Sequence, residues 1–316
     1  MKGEERKEEM KTLGSDPELL IVKGTKPQSA IGVVQGTAEN RIYIKGHAFY
    51  YDNVLAECAI KPGRSKKDVV GNFREALEIY AKMVRPFKLK PQACCDFPDS
   101  QLRHEDARKV GCAPDWCAYE VKLKEPPKEA IQNGNLRSCG GHIHLGSDLL
   151  ASDGPEPILA IYLLDLFVGV PSLWLDKDPT SARRRAIYGH AGRYRSKDYG
   201  LEYRSLSNFW LTSPDLVGLI YDLCKFTHDY LEDGRGWDLW KFDEEVFYDT
   251  TELSEAWTCS YDTAMLRKAI NFGDQKLAEP LLKLAMDQMP KTLRTNVQAM
   301  MDRAEDGDFY ANWGLT

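Results

Sequence analysis

Between Ser138 and Gly146 the chain reads Ser-Cys-Gly-Gly-His-Ile-His-Leu-Gly. Read as a strand, this stretch puts His142 and His144 on one face and Ile143 and Leu145 on the other. One face can enter a core while the other presents two imidazoles to a cleft. Gly140, Gly141 and Gly146 leave room for a ligand or another backbone to come close. The same spacing recurs at Asp16 and Glu18 and again at Glu202 and Arg204. Three strand-like segments, each with two polar groups on one face, predict a sheet lined with metal and phosphate ligands.

The bulk composition supports a sizeable core. Of 316 residues, 43% are hydrophobic and 28% charged, with a formal net charge of -6. Such a balance argues against an extended nucleic-acid footprint but permits a local basic cleft. Met1 to Lys11 alternates Lys and Glu without an apolar run, which reads as a solvated tail and not a signal peptide. Ile158–Leu175 is the longest apolar stretch. It contains Asp165 and Pro171 and reads as a buried helix, not a membrane span. The eight cysteines, with no secretory signal, read as reduced thiols of a cytoplasmic protein. Cys94, Cys95, Cys112 and Cys117 cluster in sequence, but four residues separate the last two. With His104 between them a structural zinc site is one reading, but the spacing departs from that of zinc knuckles, and the other reading is small buried hydrophobes.

In order, the pattern predicts strands over Leu13–Val22, Ser29–Gln35, Arg41–Lys45 and His47–Ile60, the last burying Glu57 among apolar neighbours. A helix follows over Lys66–Arg85, with Ser65 as N-cap and Pro86 as stop. Phe87–Cys94, Asp115–Leu123, Leu136–Leu145 and Tyr199–Ser205 read as further strands. Pro157–Trp174 and Pro214–Tyr230 read as helices, and from Gly234 the pattern is helical to the end. The expected class is α+β. Three regions are expected: a disordered tail over 1–13, a catalytic core over 14–233 and a helical extension over 234–316.

Each polar candidate has a plain structural alternative. Glu57 is held either by a cation or by a basic side chain, because an unpaired buried carboxylate is costly. His142 and His144 are either ligands or hydrogen-bonded core histidines. With carboxylates as the other candidates, magnesium or manganese fits better than zinc. Glu202 and Arg204 form either an ion-paired strand or a ligand beside an anion-binding guanidinium. Arg193 and Arg195, interleaved with glycine and tyrosine, suit a loop folded over an anion. Neither a P-loop nor a dinucleotide-binding glycine pattern occurs.

Five segments together resemble the carboxylate–amine (COOH–NH2) ligases, type 2, of phiEco32-like phages. They are Gly14–Glu18, Asp52–Glu57, Gly140–Gly146, Tyr188–Arg195 and Gly200–Leu206. That family lies within the glutamine synthetase and glutamate–cysteine ligase superfamily. The resemblance runs from about Gly14 to about Leu211, and the last third of the chain carries none. It implies a concave antiparallel sheet backed by helices, holding ATP and divalent cations, Mg2+ or Mn2+. By similarity Glu18, Glu57, His142 and Glu202 are metal ligands, with Asp16 close by. His144 resembles the histidine that reaches the nucleotide phosphates. Arg204 resembles the arginine that contacts the transferred phosphoryl group, and Arg193 and Arg195 resemble substrate- or phosphate-binding arginines.

The expected activity is ATP-dependent amide formation through an acyl phosphate. The partners are a small-molecule or peptide carboxylate and an amine, and a modified nucleobase is a further candidate acceptor. No membrane partner is expected, and the oligomeric state stays open. The expected location is the cytoplasm, that of an infected host if the chain is phage-encoded. Two alternatives stand beside this reading: a guanidino-kinase-type phosphotransferase, and a non-catalytic nucleotide-binding or virion-associated protein.

Overall fold

The computed structural model describes residues 10–108, 114–125, 134–242, 257–303 and 307–316. The described residues contain sixteen strands. They are β1 (Thr12–Ser15), β2 (Glu18–Lys23), β3 (Lys26–Gln28), β4 (Ile42–Ile44), β5 (His47–Asp52), β6 (Leu55–Gly63), β7 (Lys88–Lys90) and β8 (Cys94–Asp96). Then come β9 (Asp115–Cys117), β10 (Lys122–Lys124), β11 (Leu136–Ser138), β12 (Ile143–Gly146), β13 (Arg193–Lys197), β14 (Gly200–Tyr203), β15 (Trp240–Phe242) and β16 (Trp257–Cys259). Twelve of them form one sheet, whose main path is β10-β9-β13-β14-β12-β1-β6-β2-β3. The ladders along this path are all antiparallel. With helices packed on the sheet, the chain has the α+β architecture expected.

Several expected strands are broken, each at a recognisable residue. Leu13–Val22 divides at Asp16–Pro17, because proline has no N–H to give a ladder. Its two halves still run along the same edge of β6 in one register from Ser15 to Leu19, with a bulge inside β1 between Leu13 and Ser15. His47–Ile60 is a hairpin, turned at Asn53 with φ 54. Asp115–Leu123 is another hairpin, with Val121 at φ 46. Phe87–Cys94 divides into β7, on the main sheet, and β8. Leu136–Leu145 divides too: β11 pairs with β8 in a small separate sheet, while β12 enters the main one. Ser29–Gln35 forms only isolated bridges. The strand period was legible in these segments, but turn residues decided where pairing stopped.

The helix Lys66–Met83 matches expectation. Ser65 Oγ accepts from Asp68 N–H at 3.2 Å, and Val69, Phe73, Leu77 and Tyr80 form its buried face. That face packs on β6. The apolar stretch Glu156–Leu175 forms a helical run of 20 residues, long and apolar enough by composition to span a bilayer. In the fold, 89% of its apolar window is buried. Its middle, Asp165–Gly169, widens into a π turn closed by Val170 N–H on Asp165 O. Pro171 follows at once, and a proline ring displaces the backbone of the preceding turn. This run packs on β14, and the helix Pro214–Glu232 bridges it to Lys66–Met83.

Two boundaries move. Of the expected tail over 1–13, residues 1–9 lie outside the described residues, while Met10 is buried and β1 begins at Thr12 and pairs with β12. The region from Gly234 is not helical throughout, since β15 and β16 pair antiparallel. Its helices Thr263–Phe272, Gln275–Gln288 and Lys291–Met301 bury residues in the same core cluster as the sheet. Among the cysteines, Cys94 and Cys117 are buried as expected, whereas Cys95 is partly exposed. Cys112 lies outside the described residues.

The core helix supplies the first prediction. Phe167 is fully buried, with edge contacts to Phe226 and Tyr230 at centroid distances of 5.0 Å each. Phe167→Ala should cost about 3–5 kcal/mol in urea denaturation, whereas Ser65→Ala should cost about 1 kcal/mol.

Candidate functional site

Cross-strand register builds the site. In an antiparallel ladder, directly opposed residues project to the same face. Glu202 lies opposite His144 on one side and Arg195 on the other. Glu57 lies opposite Glu18 on one side and Tyr50 on the other. Asp16 sits at the β1–β2 break between these rows. There it faces both imidazoles, with Oδ1 3.3 Å from His142 Nδ1 and 3.1 Å from His144 Nε2. The three pairs of polar residues seen in the sequence therefore meet on neighbouring strands.

They meet as two groups. Asp16, His142 and Glu202 each offer a ligating atom within 4.8 Å of the others, and Glu18, Asp52 and Glu57 do the same. Glu18 and Glu57 thus belong to one group, and His142 and Glu202 to the other. His142 precedes β12 and reaches the site because Gly140 leaves it room. A Cβ on Gly140 would come within 2.5 Å of His142 Nε2. Glu18 is fixed by local backbone: Gly140 N–H donates to its Oε2 at 2.5 Å, and Asn208 Nδ2 donates to its carbonyl at 2.6 Å.

Burial sets the electrostatics. Glu202 is fully buried, and Asp16 Oδ1, His142 Nε2, His144 Nε2 and Glu202 Oε2 have no hydrogen-bond partner among the described residues. Lys197 Nζ is 2.8 Å from Glu202 Oε2, an ion pair outside hydrogen-bond geometry. Burial and the Arg204 charge push His142 down to about 4. It is therefore a neutral imidazole at neutral pH, the form that binds metal. Burial works against ionised Asp16, but His144 and His142 outweigh it and hold Asp16 well below the usual range. For Glu202, burial and Asp16 are likewise outweighed by His142, Arg204 and His144, and it falls to about 2.

The second group behaves oppositely. Burial and the Asp52 charge raise Glu18 to about 8. Burial and the charges of Asp16, Glu18 and Asp52 raise Glu57 well above the carboxylate range. Burial also raises Asp52. Tyr50 OH donates to Glu57 Oε1 at 2.7 Å. Opposed carboxylates with so little compensation form a site suited to a hard divalent cation.

Cations border the first group. Arg204 donates from Nε to Asp115 Oδ2 at 3.2 Å, from Nη1 to Glu202 and from Nη2 to Tyr188 OH. Arg193 pairs with Asp115 Oδ1 at 3.1 Å. Arg195 Nη1 lies 3.8 Å from Glu202 Oε1. The side chains of Arg195 and Lys197 remain 27% and 30% exposed, against 5% for Arg204. Tyr199 OH lies 2.5 Å from His144 Nδ1, which turns the other ring nitrogen toward Asp16.

Sequence reasoning did not assign roles to Asp52, Asp115, Tyr188, Lys197 or Tyr199. Asp52 had a signal, because it stands in the Asp-Asn turn before Glu57. Asp115 had none, since its importance lies in pairing with arginines almost 80 and 90 positions away. Arg183 pairs with Asp96, outside the two ligand groups. Arg184 is buried and donates to the carbonyls of Ser205 and Leu206, and Arg185 pairs with Asp176.

An antiparallel sheet carrying paired carboxylate and imidazole groups beside arginines describes a class of metal-and-anion site. A family model, phage phiEco32-like COOH.NH2 ligase-type 2, matches residues 135–315. The chain belongs to this family of carboxylate–amine ligases. The match covers the helical C-terminal region, where the sequence reading found no resemblance. It begins downstream of Asp16, Glu18, Asp52 and Glu57, which the sheet brings to the matched residues. No curated protein matches the chain.

The two groups predict opposite pH responses in the metal-free protein. A raised carboxyl such as Glu18 binds its proton more tightly when folded, so its stabilisation is complete below about pH 4.3 and is lost as pH rises through about 8. Depressed Glu202 contributes above its ordinary range, and that contribution is lost as pH falls through about 2. Melting in a chelator should therefore show stability falling between about pH 5 and 8. Glu57→Gln should flatten that fall, and saturating Mg2+ should reverse it.

Proposed function

We propose that this chain is an ATP- and Mg2+-dependent amidoligase. The observation that carries the reading is the convergence of Asp16, His142 and Glu202 beside Glu18, Asp52 and Glu57 on one sheet. The buried ligand atoms of the first group, which have no hydrogen-bond partner among the described residues, and the opposed carboxylates of the second both fit divalent ions. Asp16, His142 and Glu202 would hold one Mg2+ or Mn2+, and Glu18, Asp52 and Glu57 another. Such ions supply positive charge against a triphosphate and a phosphoryl group in transfer.

The chain's own residues divide the remaining work. Arg204 holds Glu202 in place and adds fixed charge beside it. In this reading Arg204 also faces the transferred phosphoryl group, and Arg195 and Lys197, the more exposed cations, face substrate or phosphate oxygens. Arg193, anchored by Asp115, extends the same basic edge. His144, oriented by Tyr199, reaches the nucleotide phosphates. The γ-phosphoryl group passes to an oxygen of the substrate carboxylate, releasing ADP and leaving an acyl phosphate. The amine nitrogen then attacks the acyl carbon. Inorganic phosphate departs with the electron pair of the broken C–O bond, and the nitrogen loses a proton to give the amide. Positioning and fixed charge suffice for both steps, so no protein nucleophile is required.

Incubation with ATP, Mg2+ and a panel of acids, amines, peptides and nucleobases should yield phosphate and an amide-linked product detectable by mass spectrometry. Glu202→Gln and His142→Ala should each lower phosphate release about 100-fold or more. A phosphorylated product without phosphate release would instead mark a phosphotransferase. Absence of any Mg2+-dependent nucleotide binding would sink the enzymatic reading.

A further inference from the structure

Asp165 is fully buried in the middle of the most apolar helical run of the chain. A carboxyl placed there is costly unless it bonds to something. Its partner comes from the site strand. Along β14, Glu202 projects to the ligand face, so Tyr203 projects the other way, into the helices. Tyr203 OH donates to Asp165 Oδ1 at 2.7 Å. Ser205 Oγ lies 3.4 Å from the same oxygen while donating to the carbonyl of His190 at 2.8 Å. The Tyr119 hydroxyl and the Gly192 N–H also stand against the Asp165 carboxyl, though neither makes a well-formed hydrogen bond to Oδ2.

The local backbone is shaped around this contact. Asp165 opens the π turn, and the turn ends at Gly169. A Cβ on Gly169 would lie 2.9 Å from Tyr203 OH, so glycine gives the phenol its path to the carboxyl. Single π turns occur often at functional sites. Here the turn sits directly behind the strand that carries Glu202 and, one residue past its end, Arg204.

We propose that Asp165 is a positioning residue for the metal site: through Tyr203 it locks β14 from behind, so that Glu202 and Arg204 stand at fixed heights on the opposite face. The proposal rests on the divalent-ion reading given above. Alternation makes the coupling stiff, because Tyr203 cannot shift along or out of the sheet without carrying both neighbours. Burial raises Asp165 to about 7, offset in part by its hydrogen bonds, consistent with a carboxyl kept for its geometry and not for its charge.

The test compares Asp165→Ala, Asp165→Asn and Tyr203→Phe in the full chain, with Mn2+ as the probe. Mn2+ affinity is measured by electron paramagnetic resonance, and folded fraction by circular dichroism on the same samples. Asp165→Ala and Tyr203→Phe should weaken Mn2+ binding at least tenfold per folded molecule. Asp165→Asn, which keeps an acceptor for the phenol, should recover most of that loss. Wild-type affinity in folded Asp165→Ala or Tyr203→Phe overturns the proposal, as does a loss that only follows the loss of folded protein. Mn2+ binding absent from the wild-type chain overturns the divalent-ion reading itself, and this proposal with it.

Discussion

Glu18 faces Glu57 across two neighbouring strands, with Asp52 completing the group. Like charges directly opposed on a sheet repel, and partial burial removes the water that would screen them. A fold that only had to be stable would place a lysine or an apolar residue at one of these positions. The surrounding chain instead holds the carboxylates in place through the Gly140 N–H, the Tyr50 hydroxyl and the turn at Asn53. That constraint organises the acidic half of the site and suits it to the divalent ion proposed above.

The other half solves a different problem. Glu202 is fully buried, yet the Arg204 guanidinium and the His142 and His144 rings around it hold its carboxyl below the usual range. Asp115 in turn holds Arg204 and Arg193, and Tyr188 caps Arg204. The result is an alternating array of charge in which each group is oriented by the next. Such networks limit the motion of their members, which suits a reaction that depends on placing anionic oxygens and not on an activated nucleophile.

Much of the site was legible from strand alternation alone. His142 with His144, Asp16 with Glu18 and Glu202 with Arg204 each stood at a spacing of two, and each pair contributes to the same face. Less legible was the partition into two groups, because it depends on which strands become neighbours. Asp16 was expected only near the ligands. The break at Pro17 takes it off the ladder and places it between the imidazoles. Asp115 and Tyr199 act through partners far away in sequence, a relation that no local pattern encodes. The helical reading from Gly234 onward failed at β15 and β16, where Trp240 and Trp257 pack against Tyr162 of the apolar helix.

By itself, the sequence determined the period-two segments, the amphipathic helix after Ser65, the apolar helix around Asp165 and the residue types able to bind metal and phosphate. These follow from side-chain chemistry and near-neighbour spacing, which a linear chain carries in full. Tertiary structure alone decided that Glu18 opposes Glu57, that Glu202 stands between His144 and Arg195, and that Tyr203 meets Asp165 behind the sheet. Register and layer packing join residues that near-neighbour spacing leaves unconnected, and only the folded chain brings them together.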